Sequence, residues 1–153
     1  LEGRRALPVE VQALIVKSQA PQPRRVVNGV DASRVAMLLA VLERRAGIPL
    51  STFDVYVSTV GGIRVTEPGA DLAIALAIAS AYKDKAFSAT MAVVGEISLA
   101  GEIRPASSAK QRRAEAARLG FSTVLDSDAA HVREALRLAF ASATDERVQI
   151  PEF

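Results

Sequence analysis

Residues 53–60 read FDVYVSTV, residues 61–62 are GG, and residues 68–82 read PGADLAIALAIASAY. The first segment alternates and is rich in β-branched and aromatic side chains, so it predicts a strand. The glycine pair breaks it, and Ile63 to Thr66 is a candidate continuation. Pro68 stands where a helix can begin. Asp71 to Tyr82 is apolar nearly all round, with alanines interleaved among Leu72, Ile74, Leu76 and Ile78. A helix without a polar face is a buried helix. Its small alanines let a sheet and neighbouring helices approach closely.

Working outward toward the N-terminus, Val9 to Val16 is an apolar, β-branched strand bounded by Pro8 and by Ala20-Pro21-Gln22-Pro23. Arg24 to Asn28 is a short second strand, and Asn28-Gly29 is a turn signal. Asp31 reads as an N-cap. Val35, Leu38, Leu39, Leu42 and Ala46 follow at helical spacing, which predicts an amphipathic helix over 32–46. Gly47 stops it and Pro49 lies beyond.

Toward the C-terminus, Met91 to Ser98 predicts a strand, Leu99-Ala100-Gly101 a turn, and Glu102 to Pro105 its hairpin partner. Ser108 to Gln111 fits a capping box, opening a helix that runs to Leu119 and stops at Gly120. Ser122 to Leu125 is a short strand. Asp128 caps a last helix whose face is Val132, Ala135, Leu136, Ala139 and Phe140. The order is ββαβ(β)αββαβα, an α/β (α+β) domain with a mixed sheet and about four helices. Residues 1–143 form the domain and 144–153 a polar tail.

A chain of 153 residues is one domain, long enough to bury about 70% of its unfolded surface. Half of the residues are hydrophobic, which sets it apart from disordered chains. The absence of cysteine excludes disulfides, a thiol nucleophile and cysteine-ligated zinc. One histidine, His131, offers no metal pair and reads as a surface or boundary residue in the first turn of the last helix. With no tryptophan and two tyrosines, there are few platforms for stacking bases. The formal charge is only +2, but the basic residues are fifteen arginines against four lysines, and arginine is the better fork for phosphate. The longest apolar run, Leu72 to Ala79, is too short to span a bilayer. The chain opens at Leu1 without a signal-peptide pattern, so a cytoplasmic fragment of a longer protein is expected. Neither G-x-x-x-x-G-K nor G-x-G-x-x-G occurs, so nucleotide binding has no support here.

Three further residue groups could carry chemistry. Thr66-Glu67-Pro68-Gly69-Ala70-Asp71 opens the buried helix, and a helix N-terminus suits an anion or oxyanion. The plainer reading is that Pro68 and Asp71 start the helix and Gly69 permits close packing. Ser107-Ser108-Ala109-Lys110 could supply a Ser–Lys dyad, although the serines also read as caps. The arginines at strand ends and loops, Arg24, Arg25, Arg64 and Arg104, are candidate phosphate contacts.

Five phrases carry a resemblance: LEGRR (1–5), RRVVNGVDASRVAMLLAVLERRAGI (24–48), DVYVSTVGGIRVTEPGADLAIALAIAS (54–80), GEISLAGEIRP (95–105) and EAARLGF (115–121). In this order they resemble the C-terminal Lon-protease-like domain of the bacterial RadA (Sms) family of DNA repair proteins, over Leu1 to Leu125. The resemblance implies a Lon proteolytic-domain-like fold. It implies a parent with a zinc finger and a RecA-like ATPase, using ATP, Mg and Zn through domains outside this chain and no cofactor within it. It also implies hexameric rings, branch migration on DNA and a recombinase partner.

Lon-type peptidases place their serine in a P-S-A-G phrase, which lines up with Pro68-Gly69-Ala70-Asp71. Gly69 then stands at the nucleophile position and Lys110 at that of the lysine. A lysine base without a nucleophile forms no acyl-enzyme. The expectation is therefore a non-catalytic domain that supports ring assembly and touches DNA phosphates. The rivals are a peptidase with a displaced nucleophile (Thr66, Ser107 or Ser108) and a pure oligomerisation scaffold.

Overall fold

The computed structural model describes residues 9–86, 91–105, 109–121, 123–126 and 129–141. Strands β1 (Val11–Lys17), β2 (Arg25–Asn28) and β3 (Phe53–Thr59) form one mixed sheet in the order β1-β3-β2. β3 runs antiparallel to β1 and parallel to β2. Parallel neighbours need a crossover, and helix α1 (Ala32–Ala46) supplies it. Strand alternation turns Val55 and Val57 into the core, with Ala13, Ile15 and Val27 packed against it. Leu14, Tyr56 and Val26 pair in register on the opposite face.

α1 is delimited as its sequence predicts. The Asp31 carboxylate accepts from the N–H groups of Ser33 (2.8 Å) and Arg34 (3.4 Å) and from the Ser33 hydroxyl (2.6 Å). These bonds, the Ser33 hydroxyl first, hold its carboxyl below the usual range. Gly47 closes the helix with φ 68°, a left-handed cap that glycine adopts freely. Helix α2 (Asp71–Lys83) follows a single 3₁₀ turn, Pro68–Ala70. Leu72, Ile74, Leu76 and Ile78 are buried within it, as the missing polar face requires.

The strand expected over Met91 to Ser98 is two strands instead. β4 (Met91–Val93) pairs in parallel with β7 (Thr123–Leu125), while β5 (Glu96–Ile97) forms a hairpin with β6 (Ile103–Arg104). The break falls at Gly95. Its N–H donates to the Gly69 carbonyl (2.9 Å) and its carbonyl accepts from the Leu72 N–H (3.0 Å), so the backbone is drawn onto the start of α2. A Cβ at position 95 would meet Ile103 Cγ2 at 2.8 Å, so glycine is what allows the approach. The continuation expected at Ile63 to Thr66 reduces to one parallel bridge, Val30 to Val65.

α3 (Ala109–Arg118) and α4 (Val132–Ala141) complete the four described helices. The caps expected at Ser108 and Asp128, and the tail 144–153, lie outside the described residues. His131 precedes α4 rather than sitting in its first turn. Its Nδ1 accepts from the Arg133 N–H (3.1 Å), and its Nε2 lies 3.0 Å from the Ala100 carbonyl. An imidazole with its proton on Nε2 satisfies both bonds, so this histidine ties the β5–β6 turn to the start of α4. Among the described residues, no helix is long and apolar enough to cross a membrane.

Candidate functional site at the start of helix α2

The start of α2 collects the elements that sequence reading singled out. Val65 bridges to Val30, one residue before the α1 cap. Gly69 is buried and bonded to Gly95. Asp71 heads the helix at 1% exposure. A carboxylate taken out of water needs partners, and Asp71 has three donors. Arg34 of α1 reaches it with Nε (3.2 Å) and Nη2, and the Ile97 N–H of β5 donates at 3.0 Å.

Burial pushes the Asp71 carboxyl above the usual carboxylate range, against the pull of Arg34 and of the Ile97 N–H. The same contact raises Arg34 further above its ordinary value. Asp71 therefore does more than start a helix. It locks α1, α2 and the β5–β6 hairpin together at one point. The sequence signal was present: a lone acid opens an otherwise apolar, buried helix. Its partner, 37 positions earlier on another helix, was not readable.

The amides of this helix start are already engaged. Ala70 N–H donates to Glu67, Asp71 N–H to Pro68 and Leu72 N–H to Gly95. An oxyanion arriving here would have to displace protein carbonyls from these donors. An ion pair between Arg112 and Glu67 brings α3 onto the turn before α2. Arg112 is 15% exposed, whereas Lys110, two residues earlier, faces solvent. Two residues are about 200° around a helix, so the face of α3 that meets Glu67 is not the face of Lys110. Thr66 is exposed, and Ser107 and Ser108 lie outside the described residues. Among the described residues, no three metal-ligating side chains gather.

The four arginines fall into two groups. Arg24 and Arg25 sit at the start of β2. Arg64 lies beside the Val30–Val65 bridge at the far end, about 15 Å of strand away. Arg104 lies on the hairpin, opposite Glu96 and close to the Asp71 anchor. Arg64 and Arg104 thus belong to elements that meet at the start of α2. Arg24, Arg64 and Arg104 are exposed, and their side chains bond to no described residue. Arg25 differs: its guanidinium donates to the carbonyls of Phe53 and Leu50, the latter at 3.1 Å.

Residues 40–129 match the family model described as subunit ChlI of Mg-chelatase, more than half of the chain, and the chain belongs to that family. It is also similar to curated proteins named DNA repair protein RadA. Identity is 50% over 125 residues with that of Mycolicibacterium smegmatis, covering 82% of this chain and 27% of the relative. With that of Synechocystis it is 47% over 124 residues, 81% and 25%. With that of Escherichia coli it is 48% over 120 residues, 78% and 26%. The chain spans about a quarter of the length of these relatives.

Proposed function

We propose that this chain is a Lon-protease-like domain without peptidase activity, which helps a RadA-type DNA repair ATPase assemble as a hexameric ring and hold DNA by its phosphates. The parent would act in the cytoplasm with a recombinase, using ATP, Mg and Zn through other domains. The observation that carries the reading is the start of α2. Glycine occupies the position where the resemblance puts a nucleophile, and the neighbouring amides are bonded to protein carbonyls. Lys110 faces solvent on α3, turned from the Glu67 side of that helix.

The test is chemical. The wild-type chain should leave casein intact and take no label from a fluorophosphonate probe. Gly69→Ser should behave the same, because a serine there gains neither a base nor free oxyanion donors. Casein cleavage by Gly69→Ser, or labelling of Thr66, Ser107 or Ser108 in the wild type, would establish the peptidase reading instead.

Ring assembly has its own measurement. Sedimentation velocity at high protein concentration and low salt should show hexamers. Monomer alone under those conditions would remove assembly from the role of this chain. The scaffold reading leaves the arginines to ion pairs between subunits, with no DNA contact. It is separated by DNA binding.

A further inference from the structure

Strand β1 is an edge of the three-stranded sheet. Just beyond one end of it, the Ser18 N–H donates to the Thr52 carbonyl (3.0 Å). Just beyond the other, the Glu10 carbonyl accepts from the Val60 N–H (3.0 Å). These two bonds fix the phase of the antiparallel ladder. Even-numbered residues of β1 turn their backbone groups toward β3, and Val11, Ala13, Ile15 and Lys17 turn theirs outward. Among the described residues, nothing bonds to those outward groups.

A free edge of this length is ordinarily blunted by a proline, a bulge or a very short strand. β1 has none of these: its seven residues, VQALIVK, pair with β3 without a break. The other edge differs. β2 has four residues, and the chain returns beside its far end, where the Val65 N–H donates to the Gly29 carbonyl. Leu14 (58% exposed) and Val16 (44%) add apolar side chains to the open face along the β1 edge.

We propose that β1 pairs with β1 of a second copy of this chain, antiparallel across a two-fold axis, so that the two sheets become one. Charge selects both the occupant and the direction. β1 is entered from Glu10 and ends at Lys17, both exposed. Among the described residues, the Glu10 carboxylate accepts from the neighbouring Gln12 at 3.4 Å. Lys17 stands over the Phe53 ring, 5.4 Å from its centroid, a contact that leaves ammonium N–H donors for a carboxylate. In an antiparallel pair of identical strands, Glu10 of each copy lies next to Lys17 of the other, and attraction acts at both ends. A parallel pair would bring like charges together. An unrelated strand would gain the backbone bonds without this match.

The midpoint of β1 is Leu14. An axis centred there pairs the whole strand with its copy, Ala13 opposite Ile15 and Val11 opposite Lys17, with their outward groups bonded. The two Leu14 residues then face each other in a non-hydrogen-bonded pair, about 4.5 Å apart at Cα. A two-fold contact closes on itself, so it joins subunits in pairs whether or not a ring of six forms.

The chain has no cysteine, so single cysteines read the register directly. Leu14→Cys places a thiol on the axis, within the Cα range of a disulfide. Val16→Cys places one opposite Gln12 of the copy, about 14 Å from its own counterpart. Under mild diamide oxidation, non-reducing gels should show Leu14→Cys forming a disulfide dimer roughly tenfold faster than Val16→Cys. Added to Leu14→Cys, either Glu10→Lys or Lys17→Glu should slow the crosslink, and the two together should restore it. The amides of Val11, Ala13, Ile15 and Lys17 in the wild type should exchange with deuterium more slowly as protein concentration rises. Circular dichroism checks that each variant is folded. Equal rates for the two cysteine variants would mean random collision and overturn the proposal. A double charge exchange that stays slow would overturn the antiparallel pairing. Amide exchange independent of concentration would leave the edge to a different partner, and likewise overturns it.

Discussion

Arg34→Met should destabilise the domain by about 3 kcal/mol, the lower end of the cost of breaking a buried ion pair. The lower end applies because Arg34 is 29% exposed and water already screens its outer half, while Asp71 is 1% exposed and cannot be rehydrated in place. The variant also acquires a characteristic pH dependence. Burial raises the folded Asp71 carboxyl above its unfolded value, and loss of Arg34 raises it further. Between those two values the folded state binds more protons than the unfolded state, so stability falls as pH rises through the window. Below the unfolded value Asp71 is protonated in both states and the variant comes closest to wild type. Urea melts at a series of pH values measure this. Adding Asp71→Asn to Arg34→Met removes the ionisable group and should flatten the profile. A pH-independent loss in Arg34→Met would mean that the packing of the arginine stem, rather than the orphaned carboxylate, carries the effect.

Gly29→Ala should cost a similar amount, about 3 kcal/mol, for a backbone reason. Gly29 has φ +84°, and a Cβ there would lie 2.8 Å from the Ile63 carbonyl oxygen and 2.0 Å from Thr59 Oγ1. Both neighbours are fixed. Thr59 is buried and donates its hydroxyl to Ile63, while the Gly29 carbonyl accepts from the Val65 N–H at 2.6 Å. The alanine therefore strains its own backbone and also pushes away the segment that carries Arg64. Gly61→Ala provides the comparison: φ is again positive, +76°, but nothing lies within 4 Å of the added Cβ. Its cost should be about 1 kcal/mol, from backbone conformation alone. Equal losses in the two variants, read by thermal or urea unfolding, would contradict the steric account.

The features that local chemistry determines were legible in the sequence. Asp31 and Gly47 bound α1, and the unbroken apolar run identified α2 as buried, because caps and periodicity are properties of a few adjacent residues. What distant backbone contacts decide was not legible. The run Met91 to Ser98 has strand character throughout, yet it divides at Gly95 because residues 69 and 72 take up its polar groups. His131 carried no local mark of a cap, since imidazole is rarely used as one and its second bond goes to Ala100. The candidate site was found from Gly69 and its neighbours, but the Asp71–Arg34 lock joins two helices and has no sequence spacing to reveal it. The arginines were identifiable as a set, whereas the sequence did not say that Arg25 is tied to backbone carbonyls and Arg24, Arg64 and Arg104 are not.

In the proposed function this domain meets DNA through phosphates at Arg24, Arg25, Arg64 and Arg104. Anisotropy of labelled duplex DNA across a salt series tests it most directly. Binding should be independent of sequence and fall steeply with salt. Arg24→Ala, Arg64→Ala and Arg104→Ala should each lower the slope of log affinity against log salt by about 1. Arg25→Ala should lower it too, with an added loss of stability from the bonds to Phe53 and Leu50. Slopes unchanged in all four folded variants would contradict the claim and leave the domain as a scaffold.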